Sequence, residues 1–262
     1  MNLAFQYAFL FKNLRLLFSV YSIIISVAVW IISSVLLSLP TIMHWAFGAF
    51  LGLFLGLVTL IIISRRVMKQ IEPQFKIAQA HAEKRQFPSA IKILEEMLPL
   101  AKWQVMLKGQ LHSQMGVFYY AQKNEEKALE NLSKGSSRSP DAQLILASIY
   151  FRKKEMEKVK NVFEITIKMN KKQVLLYNAW AFMLSQAGDA DAAMKVLQQC
   201  LKVNKANDTT QDNLTRLQNG KKMNMKNFGM NWYSLQLEKA PMSMMQGQFA
   251  GRPGFRQMKK GR

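Results

Sequence analysis

Few residues in this 262-residue chain are equipped for chemistry. The histidines are His44, His81 and His112, and the single cysteine is Cys200. Neither His81 nor His112 has a second ligand-type side chain three or four residues on, the spacing at which a helix presents two ligands together. One cysteine cannot form an intrachain disulfide, which excludes a disulfide-stapled secreted scaffold. Cys200 reads as a small buried hydrophobe. Glu95-Glu96 and Glu125-Glu126 have the form of paired carboxylates, but each pair lies beside lysines and reads as ordinary helix-surface charge. No HExxH, CxxC, GxSxG or phosphate-cradling glycine loop occurs. The chain is expected to bind rather than to catalyse, with no cofactor and no metal.

Charge points to where that binding takes place. Lys and Arg number 36 against 16 Asp and Glu, a net charge of +20. The excess is concentrated. Arg65, Arg66 and Lys69 follow a long apolar stretch, and nine of the bases fall within residues 221–262 against the single acid Glu238.

That apolar stretch runs from Leu16 to Ser64 without a charged residue. A membrane span takes about 20 apolar residues, so the stretch accommodates two, with a break at Ser38-Leu39-Pro40-Thr41 because proline ends a helix. The expected organisation is an N-terminal segment 1–15, a transmembrane hairpin 16–64 and a basic juxtamembrane linker 65–76. Lys12 and Arg15 precede the first span, and Arg65, Arg66 and Lys69 follow the second. The positive-inside rule then puts both termini in the cytoplasm, and the compact hairpin favours a bacterial inner membrane. Gly48, Gly52 and Gly56 line one face of the second span, where small residues let backbones approach. They serve to pack the two spans together or, alternatively, to build a homodimer or a contact with another membrane protein.

Beyond Ile71 the sequence repeats. Four segments align on a small or apolar anchor followed by an apolar residue four positions on: Ala90 and Leu94, Ala128 and Leu132, Val159 and Phe163, Ala193 and Leu197. The anchors are 38, 31 and 34 residues apart. Gly116, Ala147 and Ala181 supply small residues for close helix crossings, and Tyr119 and Tyr150 the bulk beside them. Ser139-Pro140-Asp141 has the form of a helix start. The pattern resembles the tetratricopeptide repeat, whose period is 34. The expected fold is all-α: two transmembrane helices, a tetratricopeptide-like α-solenoid over 77–206, a capping helix and packed segment over 207–240, and a disordered basic tail over 241–262. Asp208–Leu217 is the candidate capping helix.

In the family that this pattern resembles, the first helix of each pair lines a concave surface that takes a peptide or a helix. Carried over by position, that surface comprises Val117 and Tyr120, Leu144 and Phe151, and Asn178 and Phe182, with Ser113, Ser148 and Gln186 beside them. Members that clamp a C-terminal carboxylate use Lys and Asn there; only Asn178 is present. The residues instead suit an apolar or amphipathic protein segment, helical or extended. Some of them alternatively belong to the core.

The C-terminal region differs in kind. Phe228-Gly229-Met230-Asn231-Trp232-Tyr233 reads as a packed or partner-binding element. From Pro241 the composition cannot bury a core. For that basic tail a solvated role comes first, then anionic lipid, a protein partner and, last, nucleic acid. Together these features describe a membrane-tethered adaptor or scaffold that binds partner proteins at the cytoplasmic membrane face. The alternative is a structural or assembly subunit of a membrane complex that uses the glycine face.

Overall fold

The computed structural model describes residues 21–38, 45–103, 106–205 and 207–241, and among these it contains helices and no strand. Expectations placed on residues 1–15, on the turn after Ser38, on His44 and on the basic tail beyond Pro241 lie outside the described residues. The chain forms two compact units that divide between Ala142 and Gln143.

The first unit begins with α1 (Tyr21–Ser38) and α2 (Trp45–Glu83). Among the described residues one helix, Phe50–Glu83, is long and apolar enough to cross a membrane, while the apolar stretch Ile24–Val35 is shorter. The two helices lie against each other through their small residues. A Cβ added to Gly52 would meet the Trp30 carbonyl at 2.9 Å, and one added to Gly56 would meet the Ser26 carbonyl at 3.0 Å. Only glycine permits that approach. The outer faces are apolar: of the 20 large hydrophobic side chains exposed among the described residues, 15 belong to α1 and α2, Phe50, Phe54, Ile31 and Ile32 among them.

The segment expected as a linker, residues 65–76, is helical throughout, because α2 continues to Glu83 without interruption. Pro73 lies inside it and removes the donor that would bond the Lys69 carbonyl. The helix persists because packing supports both sides of the proline. Val67, Ile71 and Ala78 are buried in one core with Ala90, Leu94 and Leu111, and Phe75 packs against it. Arg65, Arg66 and Lys69 are exposed.

The remaining helices form pairs. In the first unit the end of α2 pairs with α3 (Phe87–Met97), and α4 (Leu107–Ala121) pairs with α5 (Glu125–Ser133). In the second, α6 (Pro140–Arg152) pairs with α7 (Met156–Met169), and α8 (Val174–Gln186) pairs with α9 (Ala190–Val203); α10 (Asp208–Gln218) follows. One turn is repeated in every pair. Arg85, Lys123, Lys154 and Gly188 adopt positive φ of 59°, 63°, 61° and 92°. After each, a backbone N–H reaches back five residues: Gln86 to His81, Asn124 to Tyr119, Glu155 to Tyr150 and Asp189 to Leu184. This is a left-handed helix C-cap, which satisfies carbonyls that the helix leaves open.

Five residues after each of these turns stands a repeat anchor. Ala90, Ala128, Val159 and Ala193 are completely buried, as are Leu94, Leu132, Phe163 and Leu197 four positions on. The periodicity of the sequence is therefore the periodicity of the helix crossings. At Gly116 the crossing is tight: an added Cβ would come within 2.6 Å of Leu132 Cγ and 3.1 Å of its backbone nitrogen.

Candidate protein-binding groove

In the second unit the first helices of the pairs are α6, α8 and α10. Their sequence decides which residues they present. Pro140 starts α6 and Asp141 lies in its first turn. Asn207 caps α10, its side chain accepting from the Thr210 N–H at 2.8 Å. Leu144 and Ser148 on α6 are buried, as are Asn178 and Phe182 on α8, while Phe151 is half-buried. These positions were expected either to line an open surface or, for some of them, to belong to the core. Leu144, Asn178 and Phe182 are no more than 5% exposed.

The reason at Asn178 and Phe182 is that the chain covers them itself. After α10, residues 221–241 fold back as a strap with a 3₁₀ turn at Lys226–Phe228 and a short helix, α11, at Gly229–Tyr233. The strap touches all three first helices. Arg152 Nη1 on α6 donates to the Leu235 carbonyl at 3.0 Å. Phe182 on α8 receives the ring of Trp232 at 4.8 Å between centroids and 75° between planes, an edge-to-face geometry favoured by the ring quadrupoles. Asn213 on α10 accepts from the Asn224 backbone N–H at 2.7 Å. Trp232 is fully buried, and Met225 and Leu235 nearly so.

Beneath the strap lies a buried polar network. Asn213 Nδ2 donates to Asn178 Oδ1 at 3.0 Å, and Asn178 Nδ2 donates to Thr210 Oγ1 at 2.9 Å. The Thr210 hydroxyl in turn donates to the capping Asn207 Oδ1 at 2.7 Å. Asn178 therefore holds α8 to α10. A buried amide is retained only when its donors and acceptors find partners, and here it finds them within the unit. Cys200 lies beside the network, its sulfur 3.8 Å from Thr210 Oγ1. Burial pushes its thiol pKa up, against the opposing hydrogen bonds from Thr210 and Asn204. It is a buried small residue, as its sequence position suggested.

In the first unit the corresponding positions are Ser113, Val117 and Tyr120 on α4. Ser113 is buried, and its hydroxyl accepts from the Ser136 N–H at 2.9 Å, closing the turn after α5. Tyr120 is buried, as the core alternative has it, and Val117 is half-buried. His112 Nδ1 lies 3.0 Å from Asn131 Oδ1, and His81 Nδ1 lies 2.7 Å from Gln86 Oε1, so each imidazole meets a side-chain amide. Tyr119 donates to Glu95 at 3.4 Å; partial burial first, and the Glu95 carboxylate second, raise its phenol pKa. Gly52 and Gly56 face α1, and Gly48 lies in the first turn of α2.

Sequence reasoning singled out Trp232 and its neighbours as a packed element and Asn178 as a groove residue, but not that the two regions meet. It also passed over Asn213. An asparagine in the middle of a polar capping helix carries no local signal of burial.

The tetratricopeptide-repeat family model matches residues 176–207, which span most of α8 and all of α9. Two crystal structures of MamA are similar to this chain: one at 17% identity and a TM-score of 0.45, covering 61% of this chain and 89% of that one, the other at 14% and 0.42, covering 70% and 92%. No curated protein matches the sequence.

Proposed function

We propose that the protein is a membrane-tethered adaptor whose tetratricopeptide-type helix pairs recruit partner proteins at the cytoplasmic membrane face. The observation that carries the reading is the continuity of α2. One helix runs from an exposed apolar face at Phe50–Ile62, past the exposed Arg65, Arg66 and Lys69, into the first buried crossing at Ile71 and Ala78. An apolar patch of this extent on a soluble surface would drive association, whereas in lipid it is solvated, and basic side chains next to it suit anionic headgroups. A stiff helical stalk then joins tether to repeats, and confinement to the surface raises the effective concentration of partners there.

The alternative of a structural subunit that uses the glycine face is less favoured. Gly52 and Gly56 already receive α1, so another chain would have to displace it. Homodimerisation through those glycines meets the same obstacle.

Topology tests the reading directly. Single cysteines placed at exposed Lys123 and Lys171, in a Cys200→Ala background, are expected to react with a membrane-impermeant maleimide only in inverted vesicles. Reaction in intact cells, or recovery of the chain in the soluble fraction without detergent, would remove the tether or reverse its orientation. Photocrosslinking from Val117 and Phe151 in the same vesicles tests for partner proteins.

A further inference from the structure

Two of the strap's polar contacts with the groove are ones that any peptide can make. Arg152 binds a main-chain carbonyl and Asn213 a main-chain N–H. Sequence enters through the Trp232 ring on Phe182 and through the buried Met225, Tyr233 and Leu235 side chains. Moreover, the groove does not satisfy the indole N–H. Trp232 Nε1 donates to Glu238 Oε2 at 2.7 Å, within the strap itself. A buried indole N–H needs a partner, and this one carries its partner along. Trp232 is thus a self-contained knob whose polar atom demands nothing from the surface beneath it.

The register of the turns adds a second observation. Gly220 has φ of 65°, and the Lys221 N–H reaches back to Arg216, the turn seen in the four complete pairs. Met225, five residues after Gly220, is buried like the anchors Ala90, Ala128, Val159 and Ala193. The chain therefore starts a fifth pair, but after Met225 it departs from the pattern. The 3₁₀ turn and the five-residue α11 replace the second helix and carry the strap back over α8 and α6. Such short elements contribute little cooperative stability of their own.

We propose that residues 224–238 are a built-in competitor for the groove, a ligand held in cis that a partner must displace. The partner class follows from what the strap presents. It is a protein segment with a large aromatic side chain for Phe182, a free main-chain carbonyl for Arg152 and a free main-chain N–H for Asn213. This rests on the adaptor reading and adds its regulation: the groove of the second unit is closed until an aromatic-anchored segment exchanges with the strap.

The test uses the full chain in lipid nanodiscs and a fluorescein-labelled peptide of residues 222–241, read by anisotropy. A covalently tethered competitor acts as a high local concentration, so the wild type should bind the peptide weakly, and full-length Trp232→Ala at least about tenfold more tightly. A peptide carrying the same Trp-to-Ala change should bind neither. Hydrogen exchange on the wild type provides the second measurement. Strap amides over 224–236 should exchange at least about tenfold faster than those of α8 and α10, which a strap that opens on its own requires. Equal or absent peptide binding by a Trp232→Ala chain whose α8 and α10 amides stay protected would overturn the proposal. If that variant loses the protection, the wild-type exchange decides alone, and strap amides as slow as those of α8 and α10 would make the strap a permanent part of the fold. Neither failure touches the vesicle-labelling and crosslinking tests of the adaptor reading.

Discussion

Asn213 and Asn178, both without solvent exposure, meet through a single amide hydrogen bond of 3.0 Å between α10 and α8. The same Asn213 side chain accepts from the Asn224 N–H, so one residue joins the capping helix to a repeat and to the strap. Asn213→Ala would leave the Asn178 carbonyl oxygen and the Asn224 N–H without this partner. Orphaning buried polar groups costs about 1–3 kcal/mol. The expected outcome is a fall of that size in stability to urea, with helical content kept. A change under about 0.5 kcal/mol, the range of ordinary surface substitutions, would mean that water replaces the amide.

The four turns offer a prediction of opposite sign. Lys154 and Lys123 hold φ near 60° without being glycine, a conformation that costs an L-residue roughly 1–2 kcal/mol. Glycine removes that cost but adds chain entropy to the unfolded state, about 0.5–1 kcal/mol. Lys154→Gly should therefore stabilise the protein slightly, by up to about 1 kcal/mol. Gly188→Ala has nothing within 4 Å of the new Cβ, so strain at φ 92° is the only cost, and it should destabilise by a similar amount. Thermal melting of the two variants beside the wild type checks both signs.

These turns also mark how far the sequence could be read. The anchors were legible because a completely buried pair four residues apart must be apolar, and Ala128 with Leu132 or Val159 with Phe163 stand out among charged neighbours. Gly188 announces its turn, but Arg85, Lys123 and Lys154 do not, since residue type there follows the demands of an exposed surface and not those of φ. The basic residues of 65–76 marked that stretch as a linker and said nothing of its helicity; long-range packing of Ile71 and Ala78 carries the helix through it and past Pro73. The covering of Phe182 by Trp232 was hidden for a different reason. The two residues are remote in sequence and the strap lacks helical or strand periodicity, so nothing local says which surface an apolar Trp-Tyr pair will find.

Gly116 tests the close crossing in the first unit. Its α carbon stands so near Leu132 that a methyl group would overlap both the side chain and the backbone of α5. The Leu132 side chain, fully buried, has little room to move. Overpacking of this kind costs typically about 1–3 kcal/mol. Gly116→Ala should lower the melting temperature, and Gly116→Ala combined with Leu132→Ala should recover part of the loss by making room, a coupling measurable as a double-mutant cycle. Simple additivity of the two changes would show that the helices part at this crossing rather than clash.

Cys200 gives the protein a dependence on alkaline pH. Burial raises its thiol pKa in the folded state above the ordinary value. Below the ordinary thiol range, near 8.5, both folded and unfolded chains hold the proton and pH has no effect through this group. As pH rises through that range, the unfolded thiol ionises first while the folded one keeps its proton. The folded state then binds more protons, so stability falls, by at most about 1.4 kcal/mol per pH unit for one group. The loss continues until the folded pKa is reached. Urea midpoints measured at pH 8, 9 and 9.5 should therefore decline in the wild type and decline less in Cys200→Ala. Tyr177, whose phenol is also raised by burial, adds its own loss only above about pH 10, the ordinary range of its type. Identical slopes for the two chains between pH 8 and 9.5 would mean that the thiolate is accommodated beside Thr210 and Asn204 after all.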